Sequence, residues 1–364
     1  MNKPLVSVAM IVCNVERFLA EAIESILNQT LRDFEFIIVD FGSTDGSTSI
    51  VSHYQAKDSR IKFHVIPHCR VLEARNVSCF LAQSPYIAIM DADDVALKDR
   101  LKWQIEFMER NPEVGVLGGA VEFIDATGKK LLTRQYPLRD GEIKDAILRH
   151  CPFVHPTVVM RKEVFVSVGG YRRAFVGAGD YDLLLRMAER CEMANLGVVV
   201  LKRRFHPNQV SCRNLEKQAI SGIAARAAAS SRRNGQGDPS TSVREITPAV
   251  LSGLGITEEA VEQALLKAYR NRVNLHGRLS LDTPLPLVNL MLAKLAESKH
   301  VRAPVAAAVW SAAAHAYLSR GKVLKAVTAA TRAFLVDPAL AIGRGRRELR
   351  HLLRGAGTRA RQPR

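Results

Sequence analysis

The 364-residue sequence has no stretch approaching the ~20 consecutive apolar residues that a membrane-spanning helix needs. It shows no secretory leader pattern. Met1-Asn2-Lys3-Pro4 runs straight into a strand-like segment, without a basic end, an apolar stretch and a small-residue cleavage site, so a cytoplasmic location is expected. Its six cysteines, Cys13, Cys69, Cys79, Cys151, Cys191 and Cys212, form no CxxC pair. That argues against a disulfide framework in a chain of this length, and supports a zinc site even less. Most read as small buried hydrophobes. Acid is the scarce charge: 36 Asp and Glu stand against 52 Lys and Arg, a net charge of +16. Such a balance favours anionic partners: nucleic acid, acidic headgroups or phosphate-bearing substrates. Residues Arg344 to Arg364 hold eight arginines and one acid, Glu348, so much of the excess sits in a tail. No nucleic-acid module accompanies it, which makes nucleic acid the least favoured partner.

What the chain does have is apolar residue, 47% of it, and length enough for one large domain and a smaller one. Leu5–Val12, Phe34–Val39, Ile61–Ile66 and Tyr86–Met90 read as strands. Helical periodicity runs through Phe18, Leu19, Ile23, Ile26 and Leu27, then around Thr48–Gln55, Leu72–Ala82 and Leu97–Arg110. Asn14 is positioned to cap the first helix. Strand and helix alternate, so the spacing predicts an α/β layer fold with a mainly parallel sheet in this half. Ligands bind such sheets beyond the carboxyl ends of the strands, and Asp40 and Asp91 both fall there.

Beyond Asn214 the texture changes. Ser230–Pro239 is polar and rich in Gly and Pro. The organisation expected is a domain over 1–229, a linker over 230–248, a small helical domain over 249–340 and a basic tail over 341–364. Within the helical domain, His315–Pro338 resembles one tetratricopeptide helix pair. In the tail, RGRRELRHLLR at Arg344–Arg354 is a basic amphipathic pattern that suits an anionic membrane surface, against the alternative of a solvated tail.

Asp91-Ala92-Asp93-Asp94 follows the apolar strand YIAIM, and a hard Mg²⁺ or Mn²⁺ ion takes such carboxylates while keeping sites for phosphate oxygens. The competing reading is an acidic turn that caps the helix at Leu97–Arg110. Transfer of a sugar from a nucleotide diphosphate needs a cation for the diphosphate, a hold on the nucleotide and a carboxylate for the acceptor hydroxyl.

The segments SVAMIVCNVERFLAEAIESILNQTLRDFEFIIVDFGSTDGS, ARN at Ala74–Asn76, YIAIMDADDVALKDRL, PFVHPTVVMRKEVFVSVGGY, GDYDLLLRM and RRFHPNQVS stand in that order over about residues 5–213. In this ordered set the chain resembles the bacterial family-two glycosyltransferases. The resemblance implies a GT-A fold (a Rossmann-like mixed sheet), here with the C-terminal helical region, inversion at the anomeric carbon and a metal bound at the DxD motif. It implies a nucleotide-diphosphate sugar as donor and a glycan or lipid-linked acceptor, in polysaccharide or glycolipid synthesis. Carried over, Cys13, Asn14, Asp40, Phe41, Arg75, Asp91 and Ala92 fall on the nucleotide-sugar side, Asp93 on the metal, and Asp180 becomes the general base. Asp94, His155, Arg204 and His206 fall on the acceptor or diphosphate side. Plain alternatives stand beside these: Asp180 as a helix cap, His155 as a core histidine, Arg204 and His206 as a surface pair.

The chain departs from the family at four places. Cys13 stands where the family usually has Tyr, Phe41 where it has an acid or Asn, Arg70 near a usual Gly, and Gly179 at a usual Glu. Three of the four cluster where the nucleoside belongs, and Phe41 can supply a stacking surface that Cys13 cannot. A donor other than a uridine nucleotide is therefore expected. The same departures favour the alternative of a degenerate member that binds without turnover. A nucleotidyltransferase fits poorly, because Cys13-Asn14-Val15-Glu16-Arg17 is not a glycine-rich basic loop.

Overall fold

A computed structural model describes residues 3–206, 214–278, 285–298, 300–337 and 340–341. The tail from residue 342 onward, with its amphipathic pattern, lies outside the described residues, as does Cys212. The chain divides into two compact units, Met1–Leu254 and Gly255–Arg364.

The first unit is built on one nine-stranded sheet. In chain order its elements are β1 (Val6–Val12), α1 (Glu16–Leu27), β2 (Phe34–Asp40), α2 (Ser47–Lys57), β3 (Ile61–Val65), α3 (Val71–Phe80), β4 (Tyr86–Asp91), β5 (Val95–Ala96), α4 (Arg100–Arg110), β6 (Val114–Ile124) and β7 (Lys130–Arg134). There follow α5 (Asp140–Ile147), a 3₁₀ turn at His155–Thr157, β8 (Val159–Arg161), α6 (Lys162–Ser167), α7 (Gly179–Met187), β9 (Glu192–Arg204), α8 (Leu215–Arg233) and α9 (Pro248–Gly253). β1 and β2 are buried at every position, as continuous apolar runs in a doubly covered sheet should be. α1 turns Phe18, Leu19, Ala22, Ile23 and Ile26 inward at helical spacing.

The strand order is β3-β2-β1-β4-β8-β6-β9-β5, with β7 paired to β6. The pairs from β3 to β4 are all parallel, as the alternation predicts. Beyond β4 the sheet is mixed: β8 is antiparallel to β4 and β6, β9 is parallel to β6, and β5 is antiparallel to β9. Asp40 lies opposite Val12 and Asp91 opposite Ile11, so both carboxylates reach the same edge on either side of β1.

Two local expectations need correction. The helix expected from Leu97 begins at Arg100, because Val95–Ala96 is drawn into β5 and the Leu97 N–H donates to the Val200 carbonyl at 2.9 Å. Asn14 does not cap α1. Its backbone is left-handed (φ 52°) and its side-chain oxygen faces the neighbouring loop instead.

The segment after α8 remains tied to the first unit by charge. Asp182, fully buried in α7, pairs with Arg172 and Arg186, and Arg172 also pairs with Asp238, 2.8 Å away. Asp238 accepts from Arg232 as well, and Arg232 holds Glu189. This chain of ion pairs fixes the Gly169–Arg172 turn, α7 and the end of α8 in one arrangement.

The second unit contains four helices among the described residues: α10 (Glu258–Arg278), α11 (Leu285–Glu297), α12 (Ala303–Ser319) and α13 (Val323–Val336). α12 and α13 form a hairpin whose contact is lined by alanines, among them Ala312, Ala316, Ala326, Ala329 and Ala333. No described helix is long and apolar enough to cross a membrane.

Candidate active site

The site is built at the edge where β1, β2 and β4 end. After β4 the chain turns through Asp91, Ala92, Asp93 and Asp94, and one carboxylate oxygen from each of the three acids lies within 4.8 Å of the others. The turn is held from behind by Arg204 at the end of β9. Its backbone N–H donates to Asp94 at 2.8 Å, its Nε to the Asp93 carbonyl at 3.0 Å, and a terminal nitrogen to Glu21 at 2.6 Å. His206 Nε2 sits 2.9 Å from Asp93 Oδ2. Both side chains pack on Phe18, the Arg204 guanidinium 4.8 Å and the His206 ring 4.9 Å from its centroid.

Charge is crowded here. Burial raises the Asp94 carboxyl well above its ordinary value, and the negative charges of Asp93 and Asp91 push it further. Fully buried Arg100 lies behind the strand, with its guanidinium donating to the Ile89 carbonyl at 2.8 Å. Burial lowers its pKa to about 10, against the pull of Asp94 and Asp91. Three acids converging on one point repel one another, and a hard divalent cation satisfies that arrangement with oxygen ligands. The residues therefore fit such an ion. The capping alternative does not hold for this turn, since β5 separates it from α4, whose cap position is Asp99.

On the other side of Asp91 stands Arg75, from α3, 2.6 Å away. Burial opposes ionisation of both, yet each keeps its charge because of the other: Asp91 lies below the usual carboxylate range and Arg75 above the usual guanidinium value. His155 Nε2 is 2.8 Å from the Tyr171 hydroxyl. Burial, reinforced by the Arg75 charge, lowers the His155 pKa to about 4, so the ring is neutral near pH 7. The charges of Asp180 and Asp91 both act on His155 and on Tyr171. Asp180 is the second residue of α7, not its cap. Ala178 holds the cap position, and Asp180 Oδ1 accepts the Tyr181 N–H at 2.9 Å.

The loops after β1 and β2 are locked together. Asp40, 1% exposed, accepts the N–H groups of Gly42 and Ser43 at 3.0 and 2.8 Å and the Thr48 hydroxyl at 2.7 Å. Gly42 has φ +121°, a conformation side-chain-bearing residues rarely adopt, and this lets both N–H groups turn toward one carboxylate. Asn14 Oδ1 accepts from the Thr44 and Asp45 N–H groups at 2.8 and 3.3 Å, and Glu16 from Gly46 at 2.6 Å. Half-buried Cys13 and Phe41 lie where these loops meet. The Cys13 thiol is raised by burial, then by Asp40 and Asp45.

Arg204 is not a surface residue: it is 2% exposed beneath the acidic turn. Asp40 organises its own loop with both oxygens. Asp94 and Ala92 are buried parts of the turn. Tyr171, Glu21 and Arg100 were not legible as site residues. Tyr171 lies in the quoted Gly-Gly-Tyr segment, but its place beside His155 is a tertiary fact. At Gly179, a Cβ would meet Leu72 Cδ2 at 2.5 Å, so Leu72 fills the space that a glutamate side chain would need.

A sequence profile described as Glycosyl transferase family 2 matches residues 7–169, which includes the paired loops, the acidic turn and His155. The O-antigen biosynthesis glycosyltransferase WbnJ of Escherichia coli is 32% identical over 206 residues, 56% of this chain and 80% of that protein. The chain belongs to glycosyltransferase family 2. A second relative, the amylovoran biosynthesis glycosyltransferase AmsE of Erwinia amylovora, is 33% identical over 199 residues, 54% of this chain and 73% of that protein. An uncharacterized glycosyltransferase of Methanocaldococcus jannaschii is 39% identical over 194 residues, 51% of this chain, which spans 65% of that relative. The crystal structure of S. aureus TarS 1-349 in complex with UDP superposes with a TM-score of 0.50 at 17% identity, covering 93% of this chain and 92% of that one. That likeness shows the GT-A fold.

Proposed function

We propose that this family-2 chain transfers a sugar from a nucleotide-diphosphate sugar to a hydroxyl of a glycan or lipid-linked acceptor, with inversion, in the synthesis of a polysaccharide or glycolipid. The carrying observation is the three-acid turn, whose carboxylate oxygens converge within 4.8 Å, with the Asp180 charge acting on the same His155 that Asp91 acts on. Asp93, with Asp91 beside it, would hold Mg²⁺ or Mn²⁺, and the bound ion would neutralise the leaving diphosphate. His206 orients Asp93, while Arg204 and Asp94 fix the turn. Asp180 takes the proton of the acceptor hydroxyl. The freed oxygen attacks the anomeric carbon as the bond to the diphosphate breaks on the opposite face, which inverts the configuration. His155, neutral and paired to Tyr171, lines the acceptor side without adding charge. The loops around Asn14, Asp40, Cys13 and Phe41 form the nucleoside end. Phe41 there supplies a ring and Cys13 supplies none, which supports a donor base other than uracil.

Two relatives are named for O-antigen and amylovoran biosynthesis, and that supports a surface polysaccharide as the product class. The basic tail supports placement against an anionic membrane surface, where a lipid-linked acceptor would lie. Salt-sensitive sedimentation with anionic vesicles should vanish when residues 344–364 are deleted, and retention would remove this role from the tail.

The test of the function is incubation with uridine, guanosine, thymidine and cytidine diphosphate sugars, with Mn²⁺ or with chelator, and measurement of released nucleoside diphosphate. Metal-dependent release from one donor class is expected, and a uridine donor would refute the base preference. A second reading, a binder without turnover, is favoured by the loss of a carboxylate at Gly179. It predicts metal-dependent binding of a nucleoside diphosphate with no release from any donor.

A further inference from the structure

Residues 203 and 204 are both arginine, and strand β9 sends their side chains to opposite faces. Arg204 goes beneath the acidic turn, where Glu21, the Asp93 carbonyl and the Asp125 carbonyl engage its guanidinium. Arg203 lies opposite Phe123 of β6, and its guanidinium sits 5.9 Å from the centroid of that ring. It is half-buried and makes no hydrogen bond or ion pair with any described residue.

The register of β9 brings Arg203 beside the acidic turn: its neighbour Lys202 pairs with Val95 of β5, and the Arg204 N–H donates to Asp94 at 2.8 Å. The Arg203 charge acts on Asp91 and Asp94 in the acidic turn. It also acts on His155, Cys151 and Tyr136 along the opposite wall. His155 and Cys151 in turn feel Asp180. Arg203 therefore stands beside the turn, and its charge reaches the group around His155 as well. It does not serve as the ion-pair partner of Asp91, because Arg75 already does so at 2.6 Å. A guanidinium presents five N–H donors in a planar fork that matches phosphate and carboxylate oxygens. No described residue accepts from these donors, and the half-buried setting leaves them open to solvent or to a ligand.

We propose that Arg203 is the oxyanion-binding group of this cleft, engaging either the donor diphosphate or an acidic group, phosphate or carboxylate, carried by the acceptor or the transferred sugar. The proposal rests on the transferase reading for the naming of these two sources. Arg204, which the family resemblance singled out, supports the turn from below, and its neighbour faces the substrate.

The test compares full-length wild type, Arg203→Gln and Arg203→Lys by calorimetry with Mn²⁺ present, using nucleoside diphosphates, inorganic phosphate and glucuronate as probes. If the diphosphate is the partner, Arg203→Gln weakens nucleoside diphosphate binding by about tenfold or more, and Arg203→Lys recovers part of the loss. If an acidic sugar or acceptor is the partner, nucleoside diphosphate affinity stays within about twofold while phosphate or glucuronate affinity falls by about tenfold. Unchanged affinity for all three classes of probe overturns the proposal. So does a lowered melting temperature with unchanged affinities, which assigns Arg203 to packing on Phe123. These readouts need no turnover. A wild-type chain that binds a diphosphate in an Arg203-dependent way but transfers nothing would sink the transferase reading alone.

Discussion

β2 and β4 flank β1 on either side, and each ends in an aspartate at the same edge of the sheet, yet the two regions treat carboxylates in opposite ways. After β2, Asp40 meets two backbone N–H groups and a hydroxyl, and Glu16 and Asp45 likewise meet N–H groups of the paired loops. Acid in that region is structural mortar. After β4, Asp91, Asp93 and Asp94 turn their oxygens toward one another, and burial adds to their mutual repulsion at Asp94. Each of the three keeps one protein partner, Arg75, His206 and the Arg204 N–H, but their oxygens still converge, and the proposed reading puts a cation there. α7 repeats the contrast within one turn: Asp182 is wholly buried between Arg172 and Arg186, while Asp180 makes only a local bond to the Tyr181 N–H. The lesson is that residue type at a strand end does not assign a role. The count of donors already turned toward a carboxylate does.

Breaking the facing acids should have the largest effect. Asp93→Ala should lower transfer by about 10³-fold or more, measured as diphosphate released from the preferred donor, because a metal ligand at the leaving group is lost. Metal-stimulated transfer surviving in that variant would erase the distinction between the two regions. Asp180→Asn should lower turnover by about 10² to 10⁴-fold in the same assay, the range for loss of a positioned general base. Its melting temperature should stay near that of the wild type.

The mortar acids should show the reverse profile. Asp40→Asn keeps the shape but turns an amide N–H₂ toward donors. It should cost about 1–3 kcal/mol of stability in denaturant unfolding, with Mn²⁺ affinity unchanged. A variant that is fully stable but has lost metal binding would move Asp40 into the other class.

Much of the first region was readable from sequence. The apolar runs, the strand-helix alternation and the order of motifs specify the parallel half of the sheet and the edge that carries Asp40 and Asp91. The mixed half was not readable in detail. β5 is two residues long, and its identity depends on pairing with β9, more than a hundred positions away in the chain. The same kind of reason hid the roles of the two arginines. Arg204 with His206 allows a reading as a surface pair, and only the register of β9 against β6 shows that Arg204 is buried under Asp93 and Asp94 while Arg203 lies against Phe123. Gly179 is informative only beside Leu72, which occupies the missing side chain's space.

The smallest expected effect concerns His155. Its folded pKa of about 4 lies below the ordinary value of 6.5, through burial and then the Arg75 charge. The unfolded chain thus binds a proton that the folded chain refuses, and stability must fall as the pH drops from about 6.5 toward 4. Between pH 7 and pH 5 the wild type should lose about 1–2 kcal/mol more than His155→Asn, by denaturant unfolding at each pH. Equal losses would mean that the ring is not held neutral by the fold.

The most direct measurement is calorimetric binding of the preferred nucleoside diphosphate, with and without Mn²⁺, to wild type, Asp93→Ala and Asp180→Asn side by side. The account predicts that the metal-dependent part of the affinity disappears in Asp93→Ala and persists in Asp180→Asn. Loss in both variants, or in neither, would contradict the division of the rim into a cation-holding turn and a separate base.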